Sequence, residues 1–132
     1  MAVVAFSWLL VGASGPELSA VHIVGLDYPQ LAHMASVQGD VELVLTVGRD
    51  GAVGAVTRRS GNGLLVGPTA DTLKKWTFSP CTETSGECQY SMLIHFVLRG
   101  GPLDISQCHT TFQFDNPGVA VVQSQLAKAI IN

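Results

Sequence analysis

Val41, Leu43, Leu45 and Val47 alternate with Glu42, Val44 and Thr46, the period of a strand with one buried face. Gly48-Arg49-Asp50-Gly51 follows, and Asp-Gly supplies the positive φ that a tight hairpin needs. Val53 to Arg59 reads as the returning strand, with Gly54 and the step from Val53 to Val56 marking a bulge. Ser60-Gly61-Asn62-Gly63 breaks it. Further on, Tyr90, Met92, Ile94, Phe96 and Leu98 alternate with Ser91, Leu93, His95 and Val97, a third strand that Gly100-Gly101-Pro102 stops. Two stretches carry helical spacing instead. Asp27-Tyr28-Pro29 reads as a helix start, because proline suits the first turn, where its missing N–H costs nothing. Leu31, Ala32, Met34, Ala35 and Val37 form the stripe of that helix before Gly39 ends it. Gly67-Pro68 opens the second helix, whose Leu65, Thr69, Ala70, Leu73 and Trp76 recur at three and four. Lys74 and Lys75 complement the dipole at its end, and Thr77-Phe78-Ser79-Pro80 leaves in extended form.

Val21 to Leu26 reads as a short strand. Phe112 and Phe114, then Val119, Val121 and Val122, predict two more around the Asn116-Pro117-Gly118 turn. Gln123 to Asn132 reads as a weak helix or a loose tail. This order predicts an α+β fold: a three-stranded antiparallel sheet, each strand beside its sequence neighbour, with both helices packed on one face. A C-terminal β extension follows. The third strand is then an edge unless the C-terminal segment pairs with it. The organisation is a domain over 21–100, an extension over 101–132, and a leading segment over 1–20.

That leading segment runs weakly polar from Met1 to Ala13. It is short of the ~20 residues that cross a bilayer as a helix. Its length suits a signal peptide with Leu18-Ser19-Ala20 at the cleavage point, or a truncated anchor. No Lys or Arg precedes it, as a secretory signal would normally have, and a buried strand or helix is the competing reading. The 132 residues fit one domain. At 47% hydrophobic and 13% charged, the chain is too apolar for disorder. A net charge of −3 argues against a nucleic-acid partner.

Chemistry is sparse. Cys81 and Cys88 flank a polar, hairpin-like loop, Thr82 to Glu87. A disulfide between them would close a ring that lowers unfolded-state entropy by about 2.5 kcal/mol and would imply an oxidising compartment; two unrelated thiols near a turn are the other reading. Cys108 is left over. The cysteine spacing fits neither redox nor zinc patterns. The histidines His22, His33, His95 and His109 show no metal-ligand spacing, so no metal or cofactor is expected. Neither a nucleophile elbow, a P-loop nor a dinucleotide fingerprint is present. Cys108 and His109, adjacent on a strand, would point to opposite faces. The expectation is a protein that is not an enzyme. Trp76 and Phe78 read as core packing.

The ordered set Tyr28-Pro29, Leu31-Ala32, Gly39-x-Val41, Val47, Asp50-Gly51-x-Val53, Ser60-Gly61, Leu64-Leu65, Ala70, Leu73-Lys74-x-Trp76-x-Phe78-x-Pro80 and Phe96-x-Leu98 resembles the C-terminal domain of TonB-family energy transducers. The Trp-x-Phe-x-Pro exit from the second helix is its most specific part. The resemblance implies a periplasmic domain that binds the Ton box, a short extended segment of an outer-membrane TonB-dependent receptor, and so supports energy-dependent transport. An inner-membrane proton-driven motor complex would be a second partner if the domain belongs to a longer anchored protein.

In the family the Ton box adds as a strand to the third strand of the sheet, by β-augmentation. Carried onto this chain, the grip is the backbone of Gln89, Tyr90, Ser91, Met92, Leu93, Ile94, His95 and onward to Val97, with Tyr28 and Pro29 shaping the approach. The alternative is a stand-alone secreted structural or oligomerising domain of the same fold, its edge strand capped by its own tail. A homodimer through exchanged edge strands is a third option. A free third strand favours docking; a paired one favours the closed domain.

Overall fold

A computed structural model describes residues 18–101, 109–115 and 118–126. Cys108, the segment before Leu18 and the residues after Leu126 lie outside the described residues. Among the described residues the element order is β1 (Ala20–His22), α1 (Gln30–Met34), β2 (Gly39–Gly48), β3 (Val53–Ser60), α2 (Gly63–Leu73), β4 (Thr77–Phe78), β5 (Glu87–Gly100), β6 (Thr110–Asp115) and β7 (Val119–Leu126). β1 and β4 form a small antiparallel pair, and the main sheet has five strands in the order β3-β2-β5-β7-β6.

The β2–β3 hairpin forms as its pattern dictates. Gly51 takes φ +83°, and a Cβ there would lie 2.0 Å from the Phe78 carbonyl oxygen, so only glycine fits. The Asp50 carboxylate accepts from Ala52 N at 3.0 Å. The register slips between Thr46 and Val47, where Gly54 is the extra residue of the expected bulge.

The sheet corrects the predicted topology. Among the described residues it has five strands, because the two of the C-terminal extension join the expected three, and it is mixed. β5 pairs with β2, antiparallel over Gly39–Gly48 and Glu87–Phe96, and not with β3, beside which the sequence reading sets it. The reason is burial. Val41, Leu43, Leu45 and Val47 are fully buried, whereas β3 is exposed except at the half-buried Val53 and Val56. β2 therefore lies inside the sheet, between β3 and β5, and α2 carries the chain across it. Beyond β5 lies β7, parallel to it, and β6 pairs antiparallel with β7 outside that.

Tyr90, Met92, Ile94 and Phe96 join the β2 side chains on one face, with Ala32 of α1 and Leu65 and Leu73 of α2 in the same core. Trp76 anchors it. Its Nε1 donates to Val24 O at 2.8 Å, and its ring lies 6.2, 6.3 and 5.1 Å from those of Phe78, Phe112 and Phe114. The aromatic exit from α2 is core packing, as expected, and it is also the surface on which the C-terminal hairpin rests.

Four local expectations also change. α2 begins at Gly63, not at Gly67-Pro68, because Asn62 caps it by accepting from Leu64 N at 2.8 Å. α1 has only five residues, and Leu31 and Met34 on its expected apolar stripe are 64% and 71% exposed; a helix this short turns one residue, Ala32, fully inward. Gln123–Leu126 is strand rather than helix or tail, because β5 extends to Gly100 and supplies a partner along that length. The strand expected over Val21–Leu26 stops at His22, where β4 runs out.

Candidate functional site

β5 is where sequence reasoning places the site. Successive residues of a strand turn their main-chain groups to opposite edges. Leu93 N donates to Gly118 O at 2.8 Å, so Leu93, His95, Val97 and Arg99 face β7, and Gln89 and Ser91 point the same way. β7 is in register from Leu93↔Val119 to Gly100↔Leu126. Over Glu87–Met92 no strand lies on that side among the described residues. The edge is thus neither free nor fully paired: the chain's own tail holds its second half. Gly118 makes the junction. Its φ is +110°, and a Cβ there would sit 2.3 Å from Ser91 O, so glycine alone lets the turn settle against β5.

The predicted site residues therefore divide. Gln89 and Ser91 are exposed on the stretch that β7 does not cover, while Tyr90 and Met92 point into the core. Ile94 is buried too, and Leu93, His95 and Val97 are half-buried on the opposite, outer face. There His95 Nδ1 lies 2.7 Å from Asp40 Oδ1. Tyr28 and Pro29 are buried. The Tyr28 hydroxyl donates to Val37 O, its ring meets Phe96 edge-on at 5.4 Å, and burial pushes its pKa up to about 12. Contact with Phe96 puts Tyr28 beside the half of β5 that β7 already occupies, not beside Gln89. His33 Nε2, 2.9 Å from Gln125 O, ties α1 to β7 at the same end.

The half of β5 that β7 does not cover begins at a covalent clamp. Cys81 and Cys88 are disulfide-bonded, with Cα atoms 5.7 Å apart, and Arg49 Nη2 holds the loop between them by donating to Thr84 O at 2.9 Å. On the outer face a depression of about 200 Å³ is lined by Glu42, Arg59, Ser91, Leu93, Gly118 and Val119 among others. It would take a side chain but not a cofactor. Among the described residues no three His, Cys, Asp or Glu group so as to hold a metal ion, and no helix is long and apolar enough to cross a membrane.

A second edge escaped the sequence reading: the outside of β6. Its signal was the alternation of Phe112 and Phe114 with Thr111, Gln113 and Asp115. That pattern marks a strand but does not say which strand will be outermost.

Residues 24–98, more than half of the chain, match the family model of the Gram-negative bacterial TonB protein C-terminal, and the chain belongs to that family. Among solved structures it is similar to the TonB C-terminal domain of Pseudomonas aeruginosa, determined by solution NMR. The two are 16% identical over 61% of this chain and 85% of that one, with a TM-score of 0.46. No curated protein matches the sequence.

Proposed function

We propose that the chain is the receptor-facing domain of a TonB-type energy transducer, working in the periplasm. There it takes an extended segment of an outer-membrane receptor as an added strand of its main sheet. Where it is joined to an inner-membrane anchor and motor complex, that contact would transmit the force for transport. Family membership over residues 24–98 is the observation that carries this reading. The Cys81–Cys88 disulfide supports an oxidising compartment, and sheet edges with unpaired main-chain groups are what β-augmentation requires.

Full use of Gln89–Val97 would require the β6–β7 hairpin to leave. That would uncover the buried Ala120 and Val122 and strip the half-buried Phe112 and Phe114 from Trp76. Uncovering large apolar side chains costs roughly 1.5–3 kcal/mol each where they are fully buried. The hydrogen bonds of a visiting strand, about five of them, return about 1 kcal/mol each. The exchange has no net driver, so the visitor joins with the hairpin in place.

Five such bonds alone correspond to a dissociation constant on the order of 0.1–1 mM, weak enough for a link that must release. Calorimetric titration of the folded chain with Ton-box peptides from several outer-membrane receptors tests the reading. Saturable binding in that range, or tighter, is expected. Failure of every such peptide to bind at millimolar concentration would overturn it.

A further inference from the structure

We infer that β6, the outermost strand, is the edge that takes the visiting segment; this rests on the strand-addition reading above and moves its site. Gly118 N donates to Asp115 O at 3.1 Å, and Asp115, Gln113 and Thr111 stand opposite Val119, Val121 and Gln123. By the alternation of main-chain groups along a strand, these three β6 residues face β7. Thr110, Phe112 and Phe114 turn their N–H and C=O groups outward, where no further strand of the sheet lies among the described residues.

The two ends of the sheet differ in how they treat a visitor. β3, at the other end, carries Arg58 and Arg59 and is broken by two register shifts. Charge and bulges of this kind blunt an edge. β6 has no Lys, Arg or Pro from Thr110 to Asp115, and its register is unbroken. It is rich in Thr and Phe, residues suited to strands. An edge so undefended is a pairing surface. With six residues it matches in length the Glu87–Met92 gap on β5.

The flanking side chains define the visitor. One side of an added strand would lie along Phe112 and Phe114, which continue the aromatic cluster of Trp76. The other would lie along the exposed Thr111, Gln113 and Asp115. The occupant is therefore an extended receptor segment with apolar side chains at alternate positions, polar ones between, and a neutral or basic residue opposite Asp115.

Amide hydrogen exchange of the intact chain, with and without a Ton-box peptide of that pattern, reads the site directly. Slowing of the Phe112 and Phe114 amides by at least tenfold, with Gln89 and Ser91 unchanged, is expected. Phe114→Pro and Ser91→Pro each remove one outward donor; the first should weaken binding at least tenfold and the second less than twofold. The exchange result stands without substitution, should proline at Phe114 disturb the fold. Protection of Gln89 and Ser91 with β6 unaffected would overturn this inference and leave the receptor reading intact. Binding of no peptide would overturn both. Protection of β6 that grows with protein concentration alone, with a dimer in sedimentation, would overturn it in favour of a second copy.

Discussion

The central pair β2–β5 is flanked on one side by β3 and on the other by β7 and β6, and the two flanks are held by different means. β3 arrives through a four-residue turn directly after β2 and adds only the half-buried Val53 and Val56 to the core. β7 returns from far along the chain and buries Ala120, Val122 and Ser124, the last with its hydroxyl 2.9 Å from that of Thr110. β6 then lays Phe112 and Phe114 on Trp76. A local hairpin can be kept by its turn and ladder. A distant strand must offset the entropy of closing a long loop, and here apolar burial does so.

Trp76→Ala strikes the second flank hardest. It should lower stability by about 3–5 kcal/mol in urea unfolding, and native-state exchange should quicken in β6 and β7 more than in β3. Uniform quickening would break the contrast. Reducing the Cys81–Cys88 disulfide should cost about 2.5 kcal/mol by denaturant midpoint, without favouring either flank, because the ring acts mainly on the unfolded chain. The sharpest comparison is between two valines. Val122→Ala should cost about 2 kcal/mol, and Val56→Ala less than about 1 kcal/mol, since Val122 is fully buried and Val56 only half. Equal losses in thermal unfolding would refute the asymmetry.

The smallest effect is one of pH. Burial raises the Tyr28 pKa from 10.0 to about 12, so the folded state holds that proton more tightly than the unfolded one. The stabilisation is complete below pH 10 and is lost as pH rises through about 12. Tyr28→Phe should flatten that part of the alkaline stability curve, while losing the hydrogen bond to Val37 O at neutral pH.

What was legible from the residues followed from local periodicity and turn chemistry. The alternation in β2 and β5, the Asp50-Gly51 turn, the Gly54 bulge, the strands around Gly118 and the pairing of Cys81 with Cys88 all appear as read. So does family membership, because its motif is a string of local signals from Tyr28 to Leu98. The candidate grip on β5 was legible only in part. Its residues form one strand as expected, but which of their main-chain groups stay open depends on a segment more than twenty residues away.

The sequence by itself determined the long strands, their inward faces and the family, since each depends on neighbours within a few positions. Tertiary structure decided that β2 lies between β3 and β5, that β7 lies parallel on half of β5, that Leu31 and Met34 face outward, and which strands end the sheet among the described residues. Those outcomes depend on competition among distant apolar surfaces for the same core, and no local pattern encodes which surface wins.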